Sequence, residues 1–130
     1  MGHTAKKLPA GATQHKTAGP YSPVLEIRGD RLIVLSGQAP VDQDGNVVSD
    51  DFGEQVAAVL ENCRAQLETA GCTMDDVFKC TVYLDDLSKW GRFNEIYLTF
   101  FPEPRPVRTA IQAGLLPGFQ VEVELWAAKA

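Results

Sequence analysis

The 130-residue chain is 45% hydrophobic and 22% charged, the composition of a globular domain with length for one core and not two. Its formal net charge of −5, with lysines and arginines scattered, weighs against a nucleic-acid binder that works by neutralising phosphates. No apolar run approaches the roughly 20 residues of a membrane helix, and the Met1–Lys7 start lacks the apolar stretch of a secretory signal, so the expected compartment is the cytoplasm.

Residues 1–18 read as a polar arm without periodicity, and residues 19–130 as a single domain. Both histidines, His3 and His15, fall in the arm, which leaves little from which to build a His-based triad or a His-rich zinc site. Gly19-Pro20 marks the entry to structure. Two aliphatic runs follow, Val24–Arg28 and Arg31–Ser36, and Gly29-Asp30 between them predicts a hairpin turn. Arg28-Gly29-Asp30 spells an adhesion tripeptide, which a hairpin tip accounts for. Asp42, Asp44 and Gly45 resemble the start of a calcium loop, but the later ligands are missing and a turn is predicted.

Ser49 is placed to cap a helix, with Asp50 and Asp51 at the positive end of its dipole. Phe52, Val56, Val59, Leu60, Cys63 and Leu67 form one face of an amphipathic helix running to about Ala70 and ended by Gly71. Val77–Leu84 alternates as a strand. Trp90, Phe93, Ile96, Tyr97, Phe100 and Phe101 recur at helical spacing until Pro102. Prolines 102, 104 and 106 make a stiff connector to two further strands, Val107–Gln112 and Gln120–Ala127. The order β-β-α-β-α-β-β predicts an α+β domain, a mixed sheet with both helices on one face. The three cysteines lack CxxC spacing, which suits reduced thiols; Cys63 and Cys80 sit on apolar faces as small buried hydrophobes.

The chemistry must then rest on arginine, carboxylates, hydroxyls and backbone groups. Arg108 opens a strand among apolar and small residues. Its guanidinium either pairs with an acidic neighbour, the more common outcome, or is left free for an anionic ligand such as a carboxylate. Glu122 and Glu124 alternate with valines and share a face, either as a solvated strand face or with one of them a general base. Tyr21 fits a core aromatic with a wet hydroxyl. Gly37, after Ser36, permits close backbone approach to a ligand. Asn94 interrupts the aromatic helix.

Taken together, Gly19-Pro20-Tyr21, Leu32–Gln38, Val77–Leu87, Asn94–Tyr97 with Phe100–Pro102, Arg105–Ile111, Leu116-Pro117 and Val121–Glu124 resemble the Rid family, also called the YjgF or reactive-intermediate deaminase family. The resemblance implies a chorismate-mutase-like fold and homotrimers with ligand clefts between subunits. It implies hydrolysis of 2-aminoacrylate and related imines to 2-keto acids and ammonia, with neither metal nor organic cofactor. Arg108 takes the place of the residue that binds the substrate carboxylate, Tyr21 of a tyrosine that helps orient water, and Ser36, Gly37, Asn94 and Trp90 of residues lining the cleft. The water-positioning glutamate falls on Glu122, with Glu124 the alternative one register away. Ala110 stands where cysteine is common, which leaves a backbone contact there and excludes a thiol, and Thr109 replaces a smaller residue. Other readings within the same resemblance are an endoribonuclease, a non-catalytic ligand-binding or chaperone-like trimer, and an aminomuconate-type deaminase.

Overall fold

The apolar spacing predicted for the first helix is realised in α1 (Phe52–Thr69), whose Val56, Val59, Leu60, Cys63 and Leu67 are fully buried. Each large aliphatic side chain sealed this way contributes roughly 1.5–3 kcal/mol. The computed structural model describes residues 5–130, so His3 lies outside the described residues. The cap of α1 is Asp51 rather than Ser49: the Asp51 carboxylate accepts from the Glu54 N–H at 2.9 Å, while the Ser49 hydroxyl accepts from the Asp51 N–H. Ser49 thus builds the turn before the cap. Gly71, at φ +74°, ends the helix in the left-handed region that favours glycine.

Three more strands and a second helix follow: β4 (Val77–Leu84), α2 (Trp90–Tyr97), β5 (Val107–Gln112) and β6 (Val121–Lys129). Helix α2 stops at Tyr97, and the aromatic run to Phe101 continues as turns that keep Phe101 buried. With β3 (Arg31–Val34) these strands make one mixed sheet in the order β3-β6-β4-β5, in which only β4 and β5 are parallel. Cys80, Val82 and Leu84 of β4 alternate with the more exposed Thr81 and Tyr83, and Val121, Val123 and Leu125 of β6 with Glu122 and Glu124. Both helices cover the apolar side, giving a single core of α1, α2, β4 and β6 residues. The opposite side of the sheet carries Thr81, Tyr83, Glu122, Glu124 and Trp126 and, among the described residues, has no helix over it.

The predicted first hairpin is not formed. Glu26–Ile27 (β2) pairs with Lys6–Lys7 (β1), whereas β3 pairs with β6, so the two runs flanking Gly29-Asp30 belong to different sheets. Asp30 N–H donates to the Lys129 carbonyl at 3.1 Å, turning the chain onto β6 instead of back along β2. Part of the polar arm therefore packs against the rest of the chain. Lys6 is buried, and its ammonium donates to the Val77 carbonyl at 2.7 Å. The acidic segment at Asp42 is the turn the sequence predicts: its carboxylate accepts from the N–H groups of Asp44 and Asn46, and Gly45 has φ +85°.

Among the described residues no helix is long and apolar enough to cross a membrane. All three cysteines are free and buried.

Candidate active site

Strand β5 forms one edge of the sheet, and Arg108 lies opposite Cys80 of β4. Cross-strand partners share a face, so the guanidinium is directed to the helix side of the sheet, under α2. There it meets aromatic rings. Its carbon lies 4.3 Å from the Trp90 ring centroid, 4.6 Å from Tyr97, 5.3 Å from Tyr21 and 5.9 Å from Phe93. The column is itself stacked, Trp90 on Phe93 at 5.9 Å and Tyr97 on Phe101 at 4.4 Å, which fixes the walls around the charge.

Arg108 is 9% exposed, yet its Nε and both terminal nitrogens have no hydrogen-bond acceptor among the described residues. The acidic partner that general grounds favour is therefore not found among the described residues. Burial pulls the guanidinium down from its usual pKa, and the neighbouring Tyr97, Cys80 and Tyr21 oppose that shift. An arginine stays protonated under such a shift. The result is a desolvated cation whose nitrogens have no acceptor within hydrogen-bond geometry among the described residues, held by π faces that attract positive charge. A buried charge in this state is costly and calls for an anion.

Tyr21 and Arg108 line two clefts in common. One, of about 330 Å³, adds Leu87, Trp90 and Ala110. The other, also about 330 Å³, is bounded by Gln14, His15, Lys79, Cys80 and Thr109. The Cys80 thiol is pushed up to about 12, chiefly by burial, so it stays protonated against the cation. Gly19 lies close behind: a Cβ there would come within 3.0 Å of an Arg108 terminal nitrogen.

The carboxylates occupy different ground. Glu122 pairs across the sheet with Tyr83 and Glu124 with Thr81, so both point to the side away from the helices. They share a cavity of about 460 Å³ with Gly37, Tyr83, Gly114 and Leu116. The Tyr83 hydroxyl donates to the Glu124 carboxylate, which holds the Tyr83 phenol above its usual range. The Glu122 carboxylate has no hydrogen-bond partner among the described residues and packs on Gly37, where an added Cβ would overlap it. Gly37 reaches that position because Gln38 bridges to Val123, with N–H to carbonyl bonds in both directions.

Of the residues singled out in the sequence, the structure brings Tyr21, Trp90, Arg108 and Ala110 together on the helix side. It brings Gly37, Glu122 and Glu124 together on the open side. Ser36 lines a third cleft with Leu35, Gln66 and Ala70 and does not join the Glu122 cavity. Asn94 is one helical turn from Trp90, its side-chain oxygen buried without a partner among the described residues, and it lines neither Arg108 cleft. Tyr97, Tyr83, Cys80 and Gly19 are site neighbours that the sequence reading leaves as core, strand and turn residues. Alternation puts Tyr83 on the side of β4 opposite Cys80, and the β4–β6 register pairs it with Glu122, but only the diagonal hydrogen bond shows that it meets Glu124.

The chain is an α+β domain with a buried arginine, lacking a hydrogen-bond partner among the described residues, on one side of its sheet and a pair of carboxylates on the other. The chain belongs to the Endoribonuclease L-PSP family, known also as the YjgF or Rid family, whose model matches residues 12–129. It is 40% identical over 108 residues to a mouse 2-iminobutanoate/2-iminopropanoate deaminase, covering 82% of this chain and 78% of that protein. It is 41% identical over 103 residues to a RutC family protein of Pyrococcus abyssi, covering 78% and 80%. The crystal structure of RidA from an Antarctic Psychrobacter superimposes with a TM-score of 0.72 at 32% identity, covering 86% of this chain and 90% of that one.

Proposed function

We propose that the protein hydrolyses small 2-imino acids, and their 2-enamine tautomers, to 2-keto acids and ammonia. In this reading it acts as a homotrimer in which each cleft joins the Arg108 half of one copy to the Glu122 half of the next. The observation that carries the proposal is Arg108: a buried planar cation whose nitrogens have no acceptor among the described residues, matched to a planar carboxylate. The reading is supported by the 40% identity to the mouse imine deaminase. RNA cleavage, the activity in the family's older name, has less to stand on, because the chain carries a net charge of −5 and the buried Arg108 cation is sunk beneath rings.

An iminium carbon is already electrophilic, so catalysis consists mainly of holding the substrate and delivering water. Arg108 fixes the carboxylate. Water attacks the imine carbon while the Glu122 carboxylate takes one of its protons, and the C=N bond becomes a C–N single bond in a carbinolamine. Glu122 returns that proton to the nitrogen, the C–N bond breaks as the hydroxyl oxygen becomes the carbonyl, and the departing ammonia takes the hydroxyl proton, which leaves Glu122 a carboxylate again: iminium acid plus water gives keto acid plus ammonium. Tyr21, beside Arg108, orients the water. In this reading, backbone groups at Gly37 of one copy and Ala110 of the next hold the nitrogen. No step needs a metal or an organic cofactor.

Two copies are required because Arg108 and Glu122 project from opposite sides of one sheet. The test is subunit mixing. Arg108→Ala and Glu122→Gln chains, each inactive alone, are expected to regain roughly a quarter of wild-type activity when co-assembled as random trimers. Failure to regain any activity in verified mixed assemblies would remove the shared site.

Gly37 provides a narrower check. Its backbone carries no positive φ, so alanine is tolerated by the main chain, but its methyl must push the Glu122 carboxylate aside. Gly37→Ala is expected to leave the thermal midpoint nearly unchanged and to lower kcat/KM by about 10²-fold, the scale of an ångström's misplacement of a reacting group. Unaltered kinetics would dissociate Glu122 from the reaction.

A further inference from the structure

Resting on the reading above, we infer that the site selects 2-imino acids bearing a large apolar side chain, seated against Leu87 and Trp90 beside Arg108 and closed by Leu116 of the facing copy. The cleft of about 330 Å³ lined by Tyr21, Leu87, Trp90, Arg108 and Ala110 holds one charged group, and that group is assigned to the carboxylate. A methyl substituent leaves most of such a volume to water. Ala110 keeps the floor low, and the rest of the wall is aromatic ring and leucine.

The wall is also fixed in place. Leu87 opens a short 3-10 turn, Leu87–Lys89, capped by the Asp86 side chain, and its N–H donates to the Gln112 side-chain oxygen at 2.9 Å. Trp90 is stacked face to face on Phe93, with 5° between the planes. Leu87 nevertheless leaves 43% of its surface in water. On the other half-site Leu116 lines the Glu122 cavity and is 67% exposed. Each half therefore offers one exposed leucine next to its reactive group, and joining the halves places both at the rim of one cleft. A substrate side chain of three or four carbons removes that apolar surface from water, a gain that a methyl group does not supply.

The experiment compares kcat/KM for the imines formed in situ from leucine and from alanine by an amino acid oxidase. The leucine-derived imine is expected to be preferred at least about 10-fold. Leu87→Ser and Leu116→Ser are each expected to lower that ratio several-fold. The same order should hold for competitive inhibition by 4-methyl-2-oxopentanoate against pyruvate, a readout independent of turnover. A wild-type ratio near one, or a ratio that neither serine variant moves, overturns the inference and identifies the leucines as packing between copies. Failure of the underlying reading looks different: wild-type protein turns over neither imine, or Arg108→Ala turns over both at the wild-type rate.

Discussion

Arg108→Ala is expected to lower kcat/KM for imine hydrolysis by about 10²–10³-fold while the protein stays folded. Charge-assisted hydrogen bonds contribute about 1.5–3 kcal/mol each to recognition, and the buried setting strengthens them relative to water. The folded state loses little in return. No carboxylate is orphaned when the guanidinium goes, because none is paired with it among the described residues, and a desolvated charge is relieved. What is lost is packing against Trp90, Tyr97, Tyr21 and Phe93. Arg108→Met, which keeps most of that volume, should therefore be as inactive as alanine yet raise the thermal midpoint. Steady-state kinetics and a thermal melt on the same preparations check both halves. A methionine variant that melts lower than wild type would point to an anion or partner already satisfying the arginine in the free protein.

Glu122→Gln is expected to cost about 10²-fold in kcat, the usual scale for a removed general base, while Glu124→Gln stays close to wild type. The two carboxylates sit two residues apart on one strand and face one cavity, so position alone does not separate them. Their partners do. Glu124 is committed to the Tyr83 hydroxyl, and glutamine still offers that hydroxyl an acceptor. Glu122 is uncommitted and lies against Gly37, so a water placed there meets a free base. Equal losses in the two variants, or a larger loss at Glu124, would transfer the role to Glu124. Tyr83→Phe provides the control, since freeing Glu124 of its partner leaves Glu122 untouched.

What the sequence reveals here follows the range of the interactions. Strands β4 and β5 and the span of α1 are legible because alternation and helical spacing are local consequences of which side chains reach the core. The first hairpin misleads because Gly29-Asp30 is an acceptable turn in isolation. Only the pairing of β3 with the C-terminal strand, nearly one hundred residues later, decides where the chain goes. Ser49 and Asp51 are both capping residues two positions apart, and the choice between them depends on where Phe52 enters the core. Arg108 was legible as a charge among apolar residues, but its lack of a partner was not, since that depends on every side chain that folding brings near. That Arg108 and Glu122 face opposite ways depends on strand order and register, which no local pattern records.

The burial of the three cysteines has a chemical consequence for a protein proposed to handle dehydroamino acids. Such compounds alkylate thiolates by conjugate addition, and a reactive cysteine beside the substrate would be consumed by the first turnovers. Here Cys63 is driven above the range in which a thiol ionises, Cys72 is shifted in the same direction, and Cys80, next to the proposed carboxylate anchor, is pushed up to about 12. With alanine at position 110 as well, the cleft presents its electrophile with oxygen nucleophiles and protonated sulfur, an arrangement that resists self-inactivation.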